Sequence, residues 1–257
     1  LGFSFTTADA MACALMVDYY GEKSAKYNSW LRASLGLGGL VGPLSISAMV
    51  GGGLPWQTVL LILSVIAVVV MLIYALCAGK LLNTRSTALE CTQQMSIPII
   101  RQFFSDQDNA RLALCSLLFG VHGTGTVWIV RYVSMYLHAP SLGAIAFSIL
   151  WFSIAVARLV LPRFSRSQTR TILLGTLAAG ILLTVGVFCQ NAVLFCIFLA
   201  AGGLCIGTTQ PFACDLCSRN AAHAGGVGSA SASMLMLLAS NVGASFTLPL
   251  IGWLFER

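Results

Sequence analysis

A chain of 257 residues with a net charge of +6 is long enough for a sizeable core, yet only 9% of it is charged and 58% is hydrophobic. Soluble domains carry about a quarter charged residues. With so few charges and a mean hydropathy of +0.88, polar surface cannot cover a core, which excludes the soluble globular classes and leaves an integral membrane protein.

A helix needs about 20 mostly apolar residues to cross hydrocarbon. Lipid offers the backbone no hydrogen-bond partner, so only helices and closed barrels can span it. The run VLLILSVIAVVVMLIYALC (Val59–Cys77) lacks the period-two alternation of a barrel strand. The prediction is therefore all-α, with eight spans.

The first, Leu1–Tyr19, has no basic lead or cleavage site and reads as a helix, not a signal peptide. With the abrupt finish at Trp253–Arg257, it suggests a fragment that starts inside a membrane domain. Asp9 lies mid-span, and a charge at that depth usually faces a cavity or a partner. It is a candidate substrate-binding or protonatable carboxylate.

The second span, Leu31–Leu54, contains SLGLGGLVGPL (Ser34–Leu44). In water each glycine there would cost about 1 kcal/mol and the proline about 3. In lipid, small residues let helix backbones approach closely. Gly36, Gly38, Gly42 and Pro43 are thus candidate packing positions. The spacing G-x-G-x-x-x-G is one residue off the dinucleotide fingerprint, and no strand precedes it.

After Trp56–Ala78 comes the one long polar connection, Asn83–Asn109. It divides the chain into three spans (1–79), a linker (80–110) and five spans (111–257). Leu112–Leu137 carries the densest set of candidates. A histidine side chain ordinarily titrates near neutrality, so His122 suits either a proton relay or a hydrogen bond to a neighbouring helix, and Thr126 lies one turn on along the same face. Trp128 and Tyr132 are placed to stack on a sugar ring or to join an aromatic belt. Arg131 either snorkels to an interface or grips an anionic group by forked hydrogen bonds.

Ser141–Leu161 and Thr171–Cys189 follow, with Arg158 expected to snorkel to the basic face. In Ala192–Leu216, Gln210-Pro211 marks a kink with an exposed polar group. In Gly226–Phe255, Asn241 is either pathway-lining or helix–helix glue. Nine cysteines, mostly within apolar runs, imply buried free thiols and no disulfide framework. Cys214-x-x-Cys217 with His223 lacks a fourth ligand, so no metal is expected. No G-x-S-x-G, H-E-x-x-H or G-x-x-x-x-G-K-[ST] motif occurs, and neither an enzyme, a cofactor nor an ATP-driven pump is predicted.

Lys23, Lys26 and Arg32, then Lys80, Arg85, Arg101 and Arg111, then Arg163, Arg166 and Arg170, then Arg219 occupy alternate connections. The connections between them hold no lysine or arginine. The positive-inside rule makes these basic loops cytoplasmic. The net charge is then a topology signal, and no nucleic-acid partner is implied. The two ends of the chain also echo each other: Asp18 and Asp215 end helices, Pro43 and Pro249 stand 206 residues apart, and Ser34 and Ser240 precede them by nine. Duplicated transporter halves leave this kind of trace.

These patterns resemble the major facilitator superfamily. Gly38-x-x-x-Gly42-Pro43 is similar to its fifth-helix G-x-x-x-G-P signature. Ala157 to Arg166 resembles the degenerate copy of G-x-L-x-D-R-x-G-R between the eighth and ninth helices, without the acid. Gly120-Val-His122, Trp128 and Tyr132 resemble the seventh helix of the fucose-permease-like branch, with His122 in the acid's place. Asp9-x-x-x-Cys13 resembles that branch's fourth-helix D-x-x-x-N.

The resemblance implies a two-bundle fold, here matching the fourth to eleventh helices, in the cell membrane. It implies secondary transport by alternating access, with a proton as the coupling ion. Proton-coupled uptake of a sugar-like or other small polar solute is the first expectation; export of drugs or metabolites, or a truncated product that transports nothing, are the alternatives. The solute would bind between Leu1–Tyr19 and Trp56–Ala78 on one side and Leu112–Leu137 and Ala192–Leu216 on the other.

Overall fold

The structure, a computed structural model, describes residues 23–81, 97–224 and 229–255, with residues 9, 11–13, 15, 16, 19 and 20 of the preceding segment. In chain order the helices are α1 (Ser24–Gly51), α2 (Trp56–Leu81), α3 (Ile97–Ser105), α4 (Gln107–Arg131), α5 (Pro140–Phe164), α6 (Gln168–Phe188), α7 (Ala192–Ile206), α8 (Thr209–Ala224) and α9 (Ser229–Phe255). A π-helical turn, Tyr132–Tyr136, continues α4. Among the described residues, seven stretches are long and apolar enough to cross a membrane, with α7 and α8 together making one of them. The chain is an all-α membrane protein. Most of the predicted span Leu1–Tyr19 and residues 83–96 of the linker lie outside the described residues.

Local chemistry sets several helix ends. Asp106 caps α4 by accepting from the Asp108 amide at 3.3 Å, and Asn191 caps α7 by accepting from Val193 and Leu194 at 3.0 and 3.1 Å. Each capping oxygen satisfies amides that the helix itself leaves free. The α1–α2 turn closes through Gly53 at φ +90°, a conformation that glycine reaches without steric cost.

Two boundaries differ from the sequence reading. α1 begins at Ser24, seven residues before the expected start, so Lys26 and Arg32 stand on a helix and not in a connection. The break in Ala192–Leu216 falls at Gly207 and Thr208, ahead of Gln210-Pro211. Pro211 sits in the first turn of α8, where its missing N–H removes no helix bond.

α5 is the hub, packed against α1, α4 and α7. Leu150 and Ile154 of α5 meet Val133, Ala179, Phe195 and Leu199 in the main core. At the α1–α5 seam a Cβ added to Gly36 would lie 2.6 Å from the Ala155 Cβ, and one on Gly39 would lie 2.5 Å from the Trp151 ring. The Ser148 hydroxyl donates to the Leu40 carbonyl across the same seam at 3.2 Å. Gly38 and Gly42 have open space where a Cβ would go. The seam therefore follows Gly36, Gly39 and Leu40, three and four residues apart on one helix face; Gly38 and Gly42 are turned away from it.

α4 and α9 form a second tight pair, in which a Cβ on Gly120 would collide with Ser240 backbone and one on Gly243 with Leu117 backbone. α2 is the opposite case. Among its described side chains only Val59 is buried, Thr58, Ile62 and Leu63 are half-buried, and the others, Leu61, Met71 and Leu76 among them, stand exposed. A helix that is apolar all round suits lipid or further protein, not water.

Candidate functional site

Two features mark the bundle, one at each end of α6. The first is a buried charge cluster. Arg32 of α1 is 1% exposed and lies about 12 Å along its helix axis at 1.5 Å per residue. Its Nη2 pairs with the Asp9 carboxylate at 3.0 Å and donates to the Cys13 thiol at 3.0 Å; Cys214 of α8 stands 3.7 Å away. Asp215 of α8, wholly buried, accepts from the Ser24 hydroxyl of α1, from Gln168 Nε2 of α6 at 3.1 Å and from Arg219 at 2.7 Å. Arg219 also donates to Gln168 Oε1 at 2.9 Å.

Arg158 of α5 has no carboxylate within ion-pair distance among the described residues. It donates instead to the Gly207 carbonyl at 2.9 Å and the Arg32 carbonyl at 2.6 Å. Gly207 caps the C-terminal end of α7, where the helix dipole is negative, and a cation there is stabilised without an acid. Burying an ion costs several kcal/mol unless partners replace its water. The cluster meets that demand by drawing on α1, α5, α6 and α8 at once, and so ties these helices at one end.

This corrects two sequence readings. Arg32 is not a loop cation, because α1 begins two turns before it. Arg158 does not snorkel: it is 2% exposed, since the carbonyls of Gly207 and Arg32 offer it closer partners than the membrane surface does.

The second feature is a cavity of about 570 Å³, near the other end of the bundle. Gln168 of the cluster and Val187 of the cavity wall stand about 28 Å apart along α6. The wall is formed by His122, Gly125, Thr126, Trp128, Ile129 and Tyr132 of α4 and its π-turn, Leu183 and Val187 of α6, Phe195 and Leu199 of α7, and Leu254 of α9. It is mostly aromatic and aliphatic. The His122 Nε2 is shut off from solvent and makes no hydrogen bond among the described residues. The Thr126 hydroxyl donates to the Gly123 carbonyl at 2.6 Å, which leaves its oxygen free to accept. The Tyr132 hydroxyl donates to the Val187 carbonyl at 3.1 Å, and its ring lies 5.0 Å from that of Phe195. The π-turn brings Tyr136 against Tyr132, ring centres 6.0 Å apart, so both rings reach the wall. Single π-turns inside helices often mark functional sites.

Of the residues singled out in the sequence, His122, Thr126, Trp128 and Tyr132 come together in this wall. Arg131 is exposed beside it, its guanidinium 5.4 Å from the Trp128 ring centre. Asp9 is part of the charge cluster, far from the cavity along the bundle. Gln210 is half-buried in the first turn of α8 and contributes nothing to the wall, and Asn241 is exposed on α9. The described part of the first half contributes no side chain to the cavity: α6 and α9 stand where α2 and the first span were expected.

Sequence reasoning missed the ion pair of Asp215 with Arg219. Their spacing of four along one helix was legible; the full burial of Asp215 was not. It also missed Phe195, which looked like ordinary apolar filling.

Long apolar helices, ion pairs inside the bundle and short turns at one end are the features of a polytopic membrane transporter. The sequence model of the Major Facilitator Superfamily matches residues 1–247, and the chain belongs to that superfamily. Comparison with curated proteins and with solved structures gives no match.

Proposed function

We propose that this chain carries out the solute-binding and gating work of a proton-coupled secondary carrier, with two helical bundles (1–79 and 111–257) rocking about the α1–α5 seam. In this reading the basic connections are cytoplasmic and the charge cluster is the closed inner gate. The observation that supports it is the separation of the two features: ion pairs close one end, and an aromatic cavity with one unpartnered imidazole lies near the other. His122 is the proposed proton carrier, because its Nε2 is free to bind a proton or a solute. Asp9 is a gate residue in this scheme, engaged with Arg32 when the inner end is closed.

The wall favours a small, partly apolar organic solute carrying one or two hydrogen-bonding groups. A hydroxyl or carbonyl of such a solute would meet His122 or Thr126, while its apolar body fills the space between Trp128, Tyr132 and Phe195. Export of amphipathic metabolites or drugs fits that chemistry best. The second reading, uptake of a sugar-like solute, is favoured by the shared placement of Trp128 and Tyr132, since aromatic faces stack on sugar rings. Counter-flow in proteoliposomes of the full-length carrier, with labelled amphipathic solutes and labelled sugars side by side, separates the two. His122→Gln is expected to abolish accumulation driven by a pH gradient while leaving exchange without a gradient. Retained pH-driven accumulation in that variant removes His122 from the coupling role.

A further inference from the structure

At the basic end of the α1–α5 seam, outside the charge cluster, two cations converge on one indole. Lys26 Nζ of α1 lies 4.6 Å from the Trp30 ring centre, and the Arg163 guanidinium carbon of α5 lies 5.5 Å from it. The indole is held in place by its own N–H, which donates to the Leu159 carbonyl of α5 at 3.2 Å. Neither cation has a carboxylate within ion-pair distance among the described residues. Like charges held beside one ring are repelled unless something anionic joins them.

The surroundings say what that anion is. Arg163 is exposed and its neighbour Phe164 is 75% exposed, so the spot opens sideways to the bilayer and not into the interior. Tyr20 stacks on Tyr27 with ring centres 3.8 Å apart, and Tyr27 meets Trp30 edge-on at 5.8 Å. Tyrosine and tryptophan at a helix end mark the headgroup level of a membrane. Basic residues beside such a belt attract anionic lipid, each contributing about a fivefold gain in binding near the surface.

From this geometry we infer that Lys26, Trp30 and Arg163 form a binding site for the phosphate of an anionic phospholipid, which clasps α1 to α5. The phosphodiester bridges the two cations, the indole supports them, and the acyl chains run along the exposed apolar flank of α1. Because Lys26 and Arg163 belong to different halves of the chain, a bound lipid holds those halves together at this end. The site is independent of which solute the carrier moves.

The test uses the full-length carrier taken from bilayers of phosphatidylcholine containing phosphatidylglycerol, with retained lipid counted by native mass spectrometry. Lys26→Gln and Arg163→Gln are each expected to lower phosphatidylglycerol retention about fivefold, and the double variant more than either. Lys26→Arg with Arg163→Lys, which keeps both charges, is expected to retain it. Arg111→Gln, an exposed cation paired with Asp108 elsewhere, serves as the control and is expected to retain it too. Equal retention by the double variant overturns the proposal, as does an equal loss in Arg111→Gln, which would reduce the effect to bulk surface charge. Displacement of the lipid by millimolar inorganic phosphate also overturns it, by making the site one for soluble anions. Arg163 is exposed, so its single substitution leaves the fold intact and carries the prediction even if the double variant is unstable.

Discussion

The two ends of the bundle carry buried polarity of different kinds, charges at one and an imidazole at the other. At the basic end Arg32, Arg158 and Asp215 are buried and Asp9 and Arg219 partly so. Two ion pairs and hydrogen bonds to hydroxyl, amide, thiol and carbonyl groups hold them, although Arg32 Nε and Arg219 Nε make no hydrogen bond among the described residues. At the cavity end the His122 Nε2 makes no hydrogen bond among the described residues and faces a mostly apolar wall. Paired charges fix an arrangement of helices, because removing one member leaves the other uncovered. An unpaired imidazole nitrogen invites a proton or a ligand. The buried charges of this chain thus hold helices together, while its capacity to bind something rests on a nearly neutral cavity.

The largest expected effect comes from breaking the charged end. Asp215→Ala removes the acceptor of Ser24, Gln168 and Arg219 and is expected to cost about 3 kcal/mol, read as a lower unfolding midpoint of the purified protein in detergent. Removing Arg219 in the same background is expected to restore part of that loss; a silent Asp215→Ala would end the structural account of the cluster. Next comes the seam: Gly36→Leu must displace Ala155 and Trp151 backbone and is expected to cost about 1–3 kcal/mol, whereas Gly38→Leu, which meets open space, leaves the midpoint unchanged. The cavity end should respond with the opposite sign. His122→Phe removes an unpaired buried nitrogen and is expected to raise stability by about 1 kcal/mol while abolishing pH-driven flux. Smallest is the exposed pair Arg111–Asp108, 3.2 Å long with both side chains more than 70% exposed. Arg111→Ala is expected to change stability by less than about 0.5 kcal/mol, and a larger shift in the same unfolding assay would show that exposed charge matters more here than the contrast allows.

The helical spans were legible because hydrophobic run length carries that information directly. Val59–Cys77 and Ser141–Leu161 can be read without knowing what they touch. The candidate site was legible in part. His122 and Thr126 share a face through helical spacing, which is local, as do Trp128 and Tyr132, and the structure brings all four into one wall. Arg32 and Arg158 were misread because their environment is set by partners 126 residues apart in the chain, as in the bond from Arg158 to the Arg32 carbonyl. Gly38 and Gly42 stood out as a motif, but motif spacing does not say which face of α1 meets α5.

By itself the sequence determined the solvent of this protein: few charges and long apolar runs admit only a helical membrane bundle, since lipid leaves the backbone no other way to satisfy its hydrogen bonds. Only the tertiary structure decided which charges are buried and which groups share a cavity. Those outcomes depend on contacts between helices far apart in the chain, and the desolvation of a charge is fixed by what packs around it, not by its neighbours in sequence.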